Sequence, residues 1–332
     1  MLLTISIPTY KRPEFLHKCL VEILRQIHDK PNVAVYVADD SDGNENKKWI
    51  EKASKQHPLS HITHAINKQN LGIDENIKNC IVSPETEYVW LLGEDDLLMP
   101  GAVDKVLRVL STDRPSFVFA NYIYSNNDHT RISSKPVLNA YSENTRESFN
   151  VFAKKNIWAV GFIGSCIIKK DDWCNQDVKK FTGSYYSHVG GIIDSSFGKE
   201  IIIISDILVL NRSENINTFT WSSSTFPVYF SFFNVLNKSK LSSDKKLLEQ
   251  AKHSSEKLFS INSIVWLAAK RADGVYNMHT YKEYYASRTN SSKLFKLLAF
   301  LFATFPKAPL KILRQINLSQ RFSTPASTIL KS

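Results

Sequence analysis

Short apolar runs alternate with amphipathic stretches along roughly the first third of the chain. The apolar runs predict buried strands at residues 2–7, 33–38, 62–66 and 87–92. Apolar side chains at helical spacing predict helices that begin at Pro13, near Lys47, at Ile73 and at Pro100. Because strands that alternate with helices are typical of a parallel sheet, the pattern predicts an α/β fold: a mostly parallel sheet flanked by helices.

The pattern changes twice in the remainder of the chain. It predicts a strand at residues 116–120, a polar loop or hairpin at 122–141, and further buried strands at 158–169 and 201–210. A glycine- and tyrosine-containing segment at 182–193 separates the last two. Residues 227–285 are mainly helical in pattern. We therefore expect one α/β domain over residues 1–225 and a helical C-terminal region over 226–332.

Composition narrows the class of protein and of partner. The 332 residues are 43% hydrophobic and 22% charged, which is typical of a globular chain that buries a full core. A formal net charge of +10 predicts an anionic partner: nucleic acid, a phosphorylated small molecule or an acidic lipid surface. The four cysteines show no CxxC spacing, which argues against a zinc site and favours a reducing cytosol. The N-terminus lacks the pattern of a signal peptide.

A basic amphipathic segment lies near the C-terminus, at residues 293–322. Its apolar stretch, 294–305, is shorter than the roughly 20 residues that a spanning helix needs, so we expect no transmembrane helix. Lysine and arginine interleave with leucine, phenylalanine and isoleucine, as in helices that lie on an anionic membrane surface. A C-terminal helix docked on its own domain is the alternative.

Three consecutive acids, Glu94, Asp95 and Asp96, follow an apolar strand and precede a helix. Open α/β sheets bind ligands at the carboxyl ends of their strands. A divalent cation such as Mg²⁺ or Mn²⁺ relieves the repulsion between adjacent carboxylates and keeps positions open for diphosphate oxygens. The alternative is a solvated turn or helix cap. A second acidic pair, Asp39 and Asp40, ends another predicted strand and favours the site.

Four motifs at strand ends carry a resemblance to a known family. They are ISIPTYKR at 5–12, VADDSDG at 37–43, NLG at 70–72 and LLGEDD at 91–96. Together they resemble the GT-A fold (Rossmann-like) glycosyltransferases of family 2. The usual pattern has an aspartate where Gly93 stands, and this variant is similar to a subset of bacterial O-antigen sugar transferases that includes abequosyltransferase-like proteins.

The resemblance implies a role for each matching residue. Thr9 and Tyr10 would line the base pocket, and Asp39 or Asp40 would accept a hydrogen bond from a pyrimidine. Asp95 would ligate the metal, Mg²⁺ or Mn²⁺, with Asp96 or Glu94 contacting the ribose or supporting the metal. The expected donor-binding residues are Pro8, Thr9, Tyr10, Arg12, Asp39, Asp40, Asn70, Gly72, Glu94, Asp95 and Arg212, and the expected metal ligands are Asp95 and Asp96.

An inverting transfer also needs a base that reaches the acceptor hydroxyl. Family members usually supply it from a Glu-Asp pair, and this chain has SYYSHVGGIID at 184–194 instead. His188 is then the first candidate and Asp194 the second. A polar residue merely hydrogen-bonded in a loop is the alternative for His188. Arg212 would offset charge on the diphosphate, unless it is a plain surface arginine.

The resemblance implies a metal-dependent, inverting transfer of a sugar from a nucleoside diphosphate sugar to a lipid-linked or bacterial surface-polysaccharide acceptor. Residues 1–120 would bind the donor and 121–225 the acceptor. The enzyme would be cytoplasmic and peripheral at the inner face of the plasma membrane. A non-catalytic nucleotide-sugar or glycan-binding protein is the alternative. No nucleic-acid partner is expected, because no basic helix or aromatic-basic motif precedes the C-terminus.

Overall fold

Strands and helices alternate along the first part of the computed structural model, which describes residues 1–58, 60–213, 225–287, 292–311 and 324–330. They are β1 (Leu3–Thr9), α1 (Pro13–Ile27), β2 (Val33–Asp39), α2 (Glu45–Gln56), β3 (His61–Ile66), α3 (Ile73–Val82) and β4 (Tyr88–Leu91). Helix α1 begins at Pro13, because the first turn does not need the N–H that proline lacks. Its apolar stripe, which includes Leu16, Leu20 and Leu24, is fully buried in the main core.

The parallel part of the sheet brings four strand ends to one edge. Strands β3, β2, β1 and β4 lie side by side in that order, all parallel. The register places Thr9 beside Asp39, and Asp39 beside Ile66. On the other side of β1, Leu91 at the end of β4 pairs with Ser6. Polar residues that follow these strands therefore share the carboxyl edge of the sheet.

The second part of the chain widens the sheet. Its elements are β5 (Leu97–Leu98), α4 (Ala102–Asp113), β6 (Phe117–Ser125), β7 (Arg131–Ile132), β8 (Thr145–Ser148), α5 (Phe149–Asn156), β9 (Cys166–Lys169), α6 (Lys170–Cys174), α7 (Ser187–Ser196) and β10 (Glu200–Arg212). Strand β9 runs antiparallel between β4 and β6, and β10 runs parallel to β6. The predicted α/β fold, with helices flanking a mostly parallel sheet, is confirmed.

The structure differs from the sequence prediction at residues 158–169 and adds detail at two other segments. The apolar run at 158–169 is a strand only over Cys166–Lys169, because Ile157–Gly161 and Ile163–Ser165 form buried 3₁₀ turns. Strand β6 continues to Ser125 and pairs antiparallel with β7, so the stretch expected to be a loop or hairpin contains a hairpin. Residues 182–193 contain most of helix α7.

The C-terminal region is helical, as predicted. It contains α8 (Thr225–Lys238), α9 (Lys245–Phe259), α10 (Ile264–Ala272), α11 (Met278–Tyr281), α12 (Lys293–Thr304), strand β11 (Thr324–Pro325) and a short helix, Ser327–Leu330. Helices α8 and α9 pack into the main core through Phe232 and Leu248, so buried contacts continue across the expected boundary at residue 225. A second, smaller cluster includes Phe226, Leu267 and Ala299. Among the described helices, none is long and apolar enough to cross a membrane.

Candidate active site

The turn after β4 places the three consecutive acids at the carboxyl edge of the sheet. A hydrogen bond from Asp96 N to Gly93 O, 3.1 Å long, closes the turn. A Cβ atom at position 93 would overlap the Asp96 carboxylate. The departure from the family pattern at Gly93 therefore has a steric reason, because the Asp96 side chain folds back into the space that a side chain at 93 would need.

Glu94 bonds to the end of β1. Its Oε2 accepts hydrogen bonds from the Thr9 hydroxyl and from the backbone N–H of Tyr10, the latter 3.1 Å long. Pro8 is the residue before Thr9 in the same strand. Burial raises the pKa of Glu94 to about 8, so this carboxyl is largely protonated at neutral pH. Glu94 thus joins β1 to the acidic turn with little net charge.

Asp95 is held between two arginines. Its Oδ2 accepts a hydrogen bond from Arg12 Nη1, 3.3 Å long, and another from Arg212 Nε, 3.0 Å long. The Arg212 guanidinium also lies over the Phe15 ring, 4.5 Å from its centroid. Arg212 is 3% exposed, so the surface-arginine alternative is wrong. Two guanidinium groups therefore lie beside the acidic turn, and guanidinium is well suited to binding phosphate.

Asp96 faces inward. Its Oδ1 accepts hydrogen bonds from Arg212 N at 3.0 Å and from Asn211 Nδ2 at 3.1 Å. Burial, followed by the negative charge of Asp95, raises the pKa of Asp96 well above its usual range. In the described arrangement, Asp96 therefore positions the end of β10 and presents no free carboxylate at the surface.

Asp39 and Asp40 are both occupied by protein partners. The Asp39 carboxylate is completely buried and accepts hydrogen bonds from Ser41 N, Asn46 Nδ2 and His64 Nε2. Burial disfavours its charge, yet these hydrogen bonds outweigh burial and hold the pKa of Asp39 below its usual range. Neither lone-pair region of Asp39 is presented to solvent, so the predicted hydrogen bond from Asp39 to a base is not supported by this geometry.

Asp40 shapes the loop between β3 and α3. Its Oδ1 accepts from Leu71 N at 2.8 Å, and its Oδ2 accepts from Gly72 N at 3.0 Å. Asn70 Oδ1 also accepts from Gly72 N, at 2.8 Å, and Gly72 has φ of +79°, a left-handed conformation that favours glycine. Asp40 therefore holds this loop in place through hydrogen bonds to its backbone. The Asn70 side chain is an exposed polar group at this edge of the sheet.

The two candidate bases lie inside the protein. His188, on α7, is 1% exposed, and neither ring nitrogen has a hydrogen-bond partner among the described residues. Burial lowers the pKa of His188 to about 4. Asp194 is 3% exposed, pairs with Lys180 at 2.6 Å and accepts from Lys240 N at 2.7 Å. A base must touch the acceptor hydroxyl. That His188 or Asp194 is the catalytic base stays a prediction, and the buried position of each side chain does not support it.

Several residues that support the edge had no sequence signal. His64 bonds to Asp39, and His129 bonds through Nε2 to Asp95 O at 3.2 Å. Asp74 of α3 accepts hydrogen bonds from Tyr185 N and Ser187 N, which ties the loop of Gly72 to the start of α7. No motif marks these positions, since each acts through a contact between distant segments.

A divalent cation fits this edge at Asp95. Among the residues that the structure describes, no group of three or more His, Cys, Asp or Glu side chains is arranged to hold a metal. Mg²⁺ is commonly held by one or two carboxylates together with substrate phosphates. The Asp95 side chain is 13% exposed and offers such a carboxylate, whereas the inward-facing Asp96 does not. The donor set thus matches a cation whose remaining ligands come from the substrate.

Comparison with known proteins identifies the family. A model described as "Glycosyl transferase family 2" matches residues 4–176, about half of the chain. The chain belongs to glycosyl transferase family 2. This confirms the resemblance seen in the sequence, and the protein is a glycosyltransferase.

One curated relative and two solved structures are similar to this glycosyltransferase. It is 25% identical over 229 residues to abequosyltransferase RfbV of Salmonella typhimurium, covering 65% of this chain and 68% of the relative. The structure matches Staphylococcus aureus TarS 1–349 with a TM-score of 0.60 at 11% identity, over 96% of this chain and 92% of that chain. Mannosyltransferase PcManGT of Pyrobaculum calidifontis, in complex with GDP-Man and Mn²⁺, matches with a TM-score of 0.51 at 13% identity, over 95% and 87%.

Proposed function

We propose that this glycosyltransferase takes a sugar from a nucleoside diphosphate sugar bound at the carboxyl edge of β1, β2 and β4. The observation that carries the proposal is the Asp95 carboxylate held by Arg12 and Arg212, which places two guanidinium groups beside the acidic turn. Arginine is well suited to the bidentate recognition of phosphate. TarS, which shares the fold, has also been solved in complex with UDP-GlcNAc. Residues 1–120 would hold the donor and 121–225 the acceptor.

Mg²⁺ or Mn²⁺ is part of the proposal. Asp95 would hold the ion, which offsets the charge that develops on the diphosphate leaving group. Asp96 and His129 support the position of Asp95. Asp96 fixes the end of β10, and His129 forms a hydrogen bond with the backbone carbonyl of Asp95. Arg212, whose guanidinium lies over the Phe15 ring, would offset the negative charge of the diphosphate.

The transferred group would be a hexosyl or deoxyhexosyl unit, in line with the abequosyltransferase relative. The acceptor would be a lipid-linked or growing bacterial surface polysaccharide, such as O-antigen or capsule. Inversion at the anomeric carbon belongs to the same proposal, and it requires a base in reach of the acceptor hydroxyl.

Donor screening tests this function. The purified full chain is titrated with UDP-, dTDP-, CDP- and GDP-sugars with and without Mn²⁺, and binding is followed by calorimetry. We expect one nucleotide class to bind best, with Mn²⁺ tightening binding, and the same donor to be hydrolysed slowly. Failure of every nucleotide sugar to bind would overturn the proposal. Tight binding without hydrolysis or transfer would instead indicate a non-catalytic binding protein.

We also propose that helix α12 lies on an anionic membrane surface, at the cytoplasmic face of the plasma membrane. One side of the helix is docked, with Ala299 and Ala303 buried in the second cluster. The other side exposes Leu294, Leu297 and Leu301, at 65%, 56% and 48%. The two interpretations of this segment, a helix on a membrane surface and a helix docked on its own domain, thus describe opposite sides of one helix. The rest of the basic segment, residues 312–322, lies outside the described residues.

Charge complementarity favours lipid over another apolar partner. Lys293 and Lys296 lie on the helix, and Lys307 and Lys311 follow it, while the helix itself carries no acidic residue. Lysine near an anionic surface contributes about 1 kcal/mol. A helix that exposes leucine between lysines therefore matches a bilayer interface.

Vesicle flotation tests the membrane contact. The chain should float with phosphatidylglycerol vesicles, float poorly with phosphatidylcholine vesicles, and lose binding as salt rises. The double variant Leu297→Ser, Leu301→Ser should lose most binding while keeping donor affinity. Leu258→Ser, on α9 and also 48% exposed, is the matched control. Equal flotation of the double variant and the control would overturn this contact.

A further inference from the structure

Asp74, a buried carboxylate in the first turn of α3, bonds to a segment that begins 111 residues further along the chain. Its Oδ2 accepts a hydrogen bond from Tyr185 N, 2.9 Å long, and its Oδ1 accepts one from Ser187 N, 3.1 Å long. The Ser187 hydroxyl also donates to Asp74 O. In the described part of the chain, every hydrogen bond between residues 184–187 and residues 1–120 is made to Asp74. Asp74 therefore links the donor side of the site to the start of α7.

Tyr185 has a strained backbone. Its φ is +67°, a left-handed conformation that is uncommon for a bulky side chain. Among the described residues, four other non-glycine residues have positive φ. Arg114 and Ser260 follow the last turns of α4 and α9, where a left-handed residue is common. Lys11 and His129 lie beside the acidic turn. Strained residues of this kind cluster at functional sites and persist only where the surrounding contacts hold them. Tyr185 belongs with Lys11 and His129, and the carboxylate that accepts its N–H holds it.

The other end of this link is the loop of residues 70–72. Gly72 donates its N–H to Asp40 Oδ2 at 3.0 Å, and its carbonyl oxygen accepts the first hydrogen bond of α3, also 3.0 Å long. One residue separates Gly72 from Asp74, which lies in the first turn of the same helix, so a displacement of the loop moves the Asp74 carboxylate. Energetic coupling travels through contiguous contacts of this kind. An unbroken series of contacts thus leads from Asp40 to Tyr185.

We propose that Asp74 is a positioning residue that couples the loop at 70–72 to the segment at 184–187, so that a nucleotide sugar bound at the loop also fixes the start of α7. This inference rests on the proposed function and adds a relationship between its donor and acceptor halves. The two-state element is the backbone of Tyr185, which is left-handed while Asp74 holds its N–H and takes a negative φ when that contact opens. Because coupling is reciprocal, loosening Tyr185 weakens donor binding by the same factor by which the donor stabilises the left-handed state.

Amide hydrogen exchange tests the coupling on the full chain, with Mn²⁺ and whichever UDP-, dTDP-, CDP- or GDP-sugar binds best. In the wild type we expect the donor to slow exchange at least about fivefold in the fragment that covers residues 182–188, the lower end of usual coupling factors. In Asp74→Asn the donor should still protect the loop at 70–72 but no longer protect 182–188. Glu75→Gln, the same change at the neighbouring residue of α3, whose side chain is 37% exposed, should respond like the wild type. Protection confined to the loop in the wild type would overturn the inference, as would equal protection of 182–188 in Asp74→Asn.

Two substitutions at Tyr185 provide a second test, which does not depend on the folding of Asp74→Asn. Proline lacks the N–H and fixes φ near −65°, so Tyr185→Pro breaks the contact with Asp74. Glycine keeps the N–H and adopts a left-handed φ without strain, so Tyr185→Gly retains it. Tyr185 is half-buried and precedes α7, so both variants should fold.

Calorimetry should show that Tyr185→Pro weakens donor binding at least about fivefold, whereas Tyr185→Gly keeps most of the wild-type affinity. Equal donor affinities in the two variants would overturn the inference and leave the proposed function standing. Only if no nucleotide sugar binds the wild type does the proposed function fail as well.

Discussion

Arg212 and Asp95 form a pair that joins the two halves of the sheet. Arg212 ends β10 and Asp95 follows β4, 117 residues earlier, yet both Nε and Nη2 of Arg212 donate to Asp95 Oδ2. The backbone N–H of Arg212 also donates to Asp96. The two acids therefore contact different parts of Arg212: Asp95 accepts hydrogen bonds from its side chain, and Asp96 accepts one from its backbone N–H. Changes at either acid should have separate consequences.

Asp95→Asn should remove the metal dependence of donor binding. The substitution keeps the shape of the side chain and removes the charge that a divalent cation needs. We expect Mn²⁺ to stop improving donor affinity and turnover to fall at least about 100-fold, a loss typical when charge stabilisation of the transition state is removed. Calorimetry with and without Mn²⁺ measures the first effect, and Mn²⁺ electron paramagnetic resonance measures ion binding directly.

Asp104→Asn is the matched control for that experiment. Asp104 lies on α4 with 58% of its side chain exposed, and it pairs with Lys30 at the surface. It should bind donor and Mn²⁺ like the wild type. Unchanged metal-dependent binding in Asp95→Asn would show that the ion is held elsewhere.

Asp40→Ala should affect the donor loop and stability together. Removing the carboxylate leaves the N–H groups of Leu71 and Gly72 without this acceptor, at a cost of about 1–3 kcal/mol in the free energy of unfolding. Donor affinity should fall because the Asn70 loop loses its anchor, while turnover at saturating donor stays near the wild-type value. Denaturant unfolding and steady-state kinetics measure the two effects. Asp42→Ala, two residues away and exposed, should show neither. A large fall in turnover with unchanged donor affinity would contradict this role.

Gly93→Ala tests the steric account of the acidic turn. The new methyl group would displace the Asp96 carboxylate from its bonds to Arg212 N and Asn211, so we expect a loss of about 1–3 kcal/mol in the free energy of unfolding. Gly43→Ala, where no atom lies within 4 Å of the added Cβ, should leave stability nearly unchanged. Thermal unfolding compares the two. Equal melting temperatures would mean that Asp96 moves without cost and that Gly93 has no steric role.

The strand ends were predictable because their causes are local. Apolar runs of four to seven residues marked β1, β2 and β4, and the acids at the ends of β2 and β4 were visible at once. A parallel sheet then brings those acids to one edge. The strand predicted over residues 158–169 was wrong for most of its length, because apolar character alone does not distinguish a buried strand from a buried turn.

The partners of those acids were not predictable from the sequence. That His64 satisfies Asp39 depends on the register between β2 and β3, and that Arg212 meets Asp95 depends on how β10 lies in the sheet. The roles assigned to Asp39 and His188 came from the family resemblance. Burial of both side chains is a property of the folded chain that a short motif does not encode.

His188→Leu should make the protein more resistant to acid. The folded protein holds the pKa of His188 near 4 because the ring is buried, whereas the unfolded chain has a pKa of about 6.5. Between these values the unfolded chain binds a proton that the folded protein does not, so stability decreases as the pH falls from about 6.5 towards 4. The decrease is about 1.4 kcal/mol for each pH unit and about 3 kcal/mol in total. Leucine removes this loss, and it also removes two buried nitrogens that lack partners among the described residues.

The measurement is the free energy of unfolding at pH 5 and at pH 7.5, with turnover recorded at pH 7.5. We expect His188→Leu to reduce the difference in the free energy of unfolding between pH 5 and pH 7.5. Turnover should change less than about tenfold, because a side chain enclosed in the core does not touch the acceptor. His253→Leu, the same substitution at an exposed position of α9, should leave the difference in the free energy of unfolding between the two pH values as in the wild type. A fall in turnover of roughly 10²–10⁴-fold with unchanged donor affinity would contradict the buried placement and establish His188 as the base. Asp194→Asn would then be the variant with the smaller kinetic effect, since Asp194 is engaged by Lys180 and Lys240.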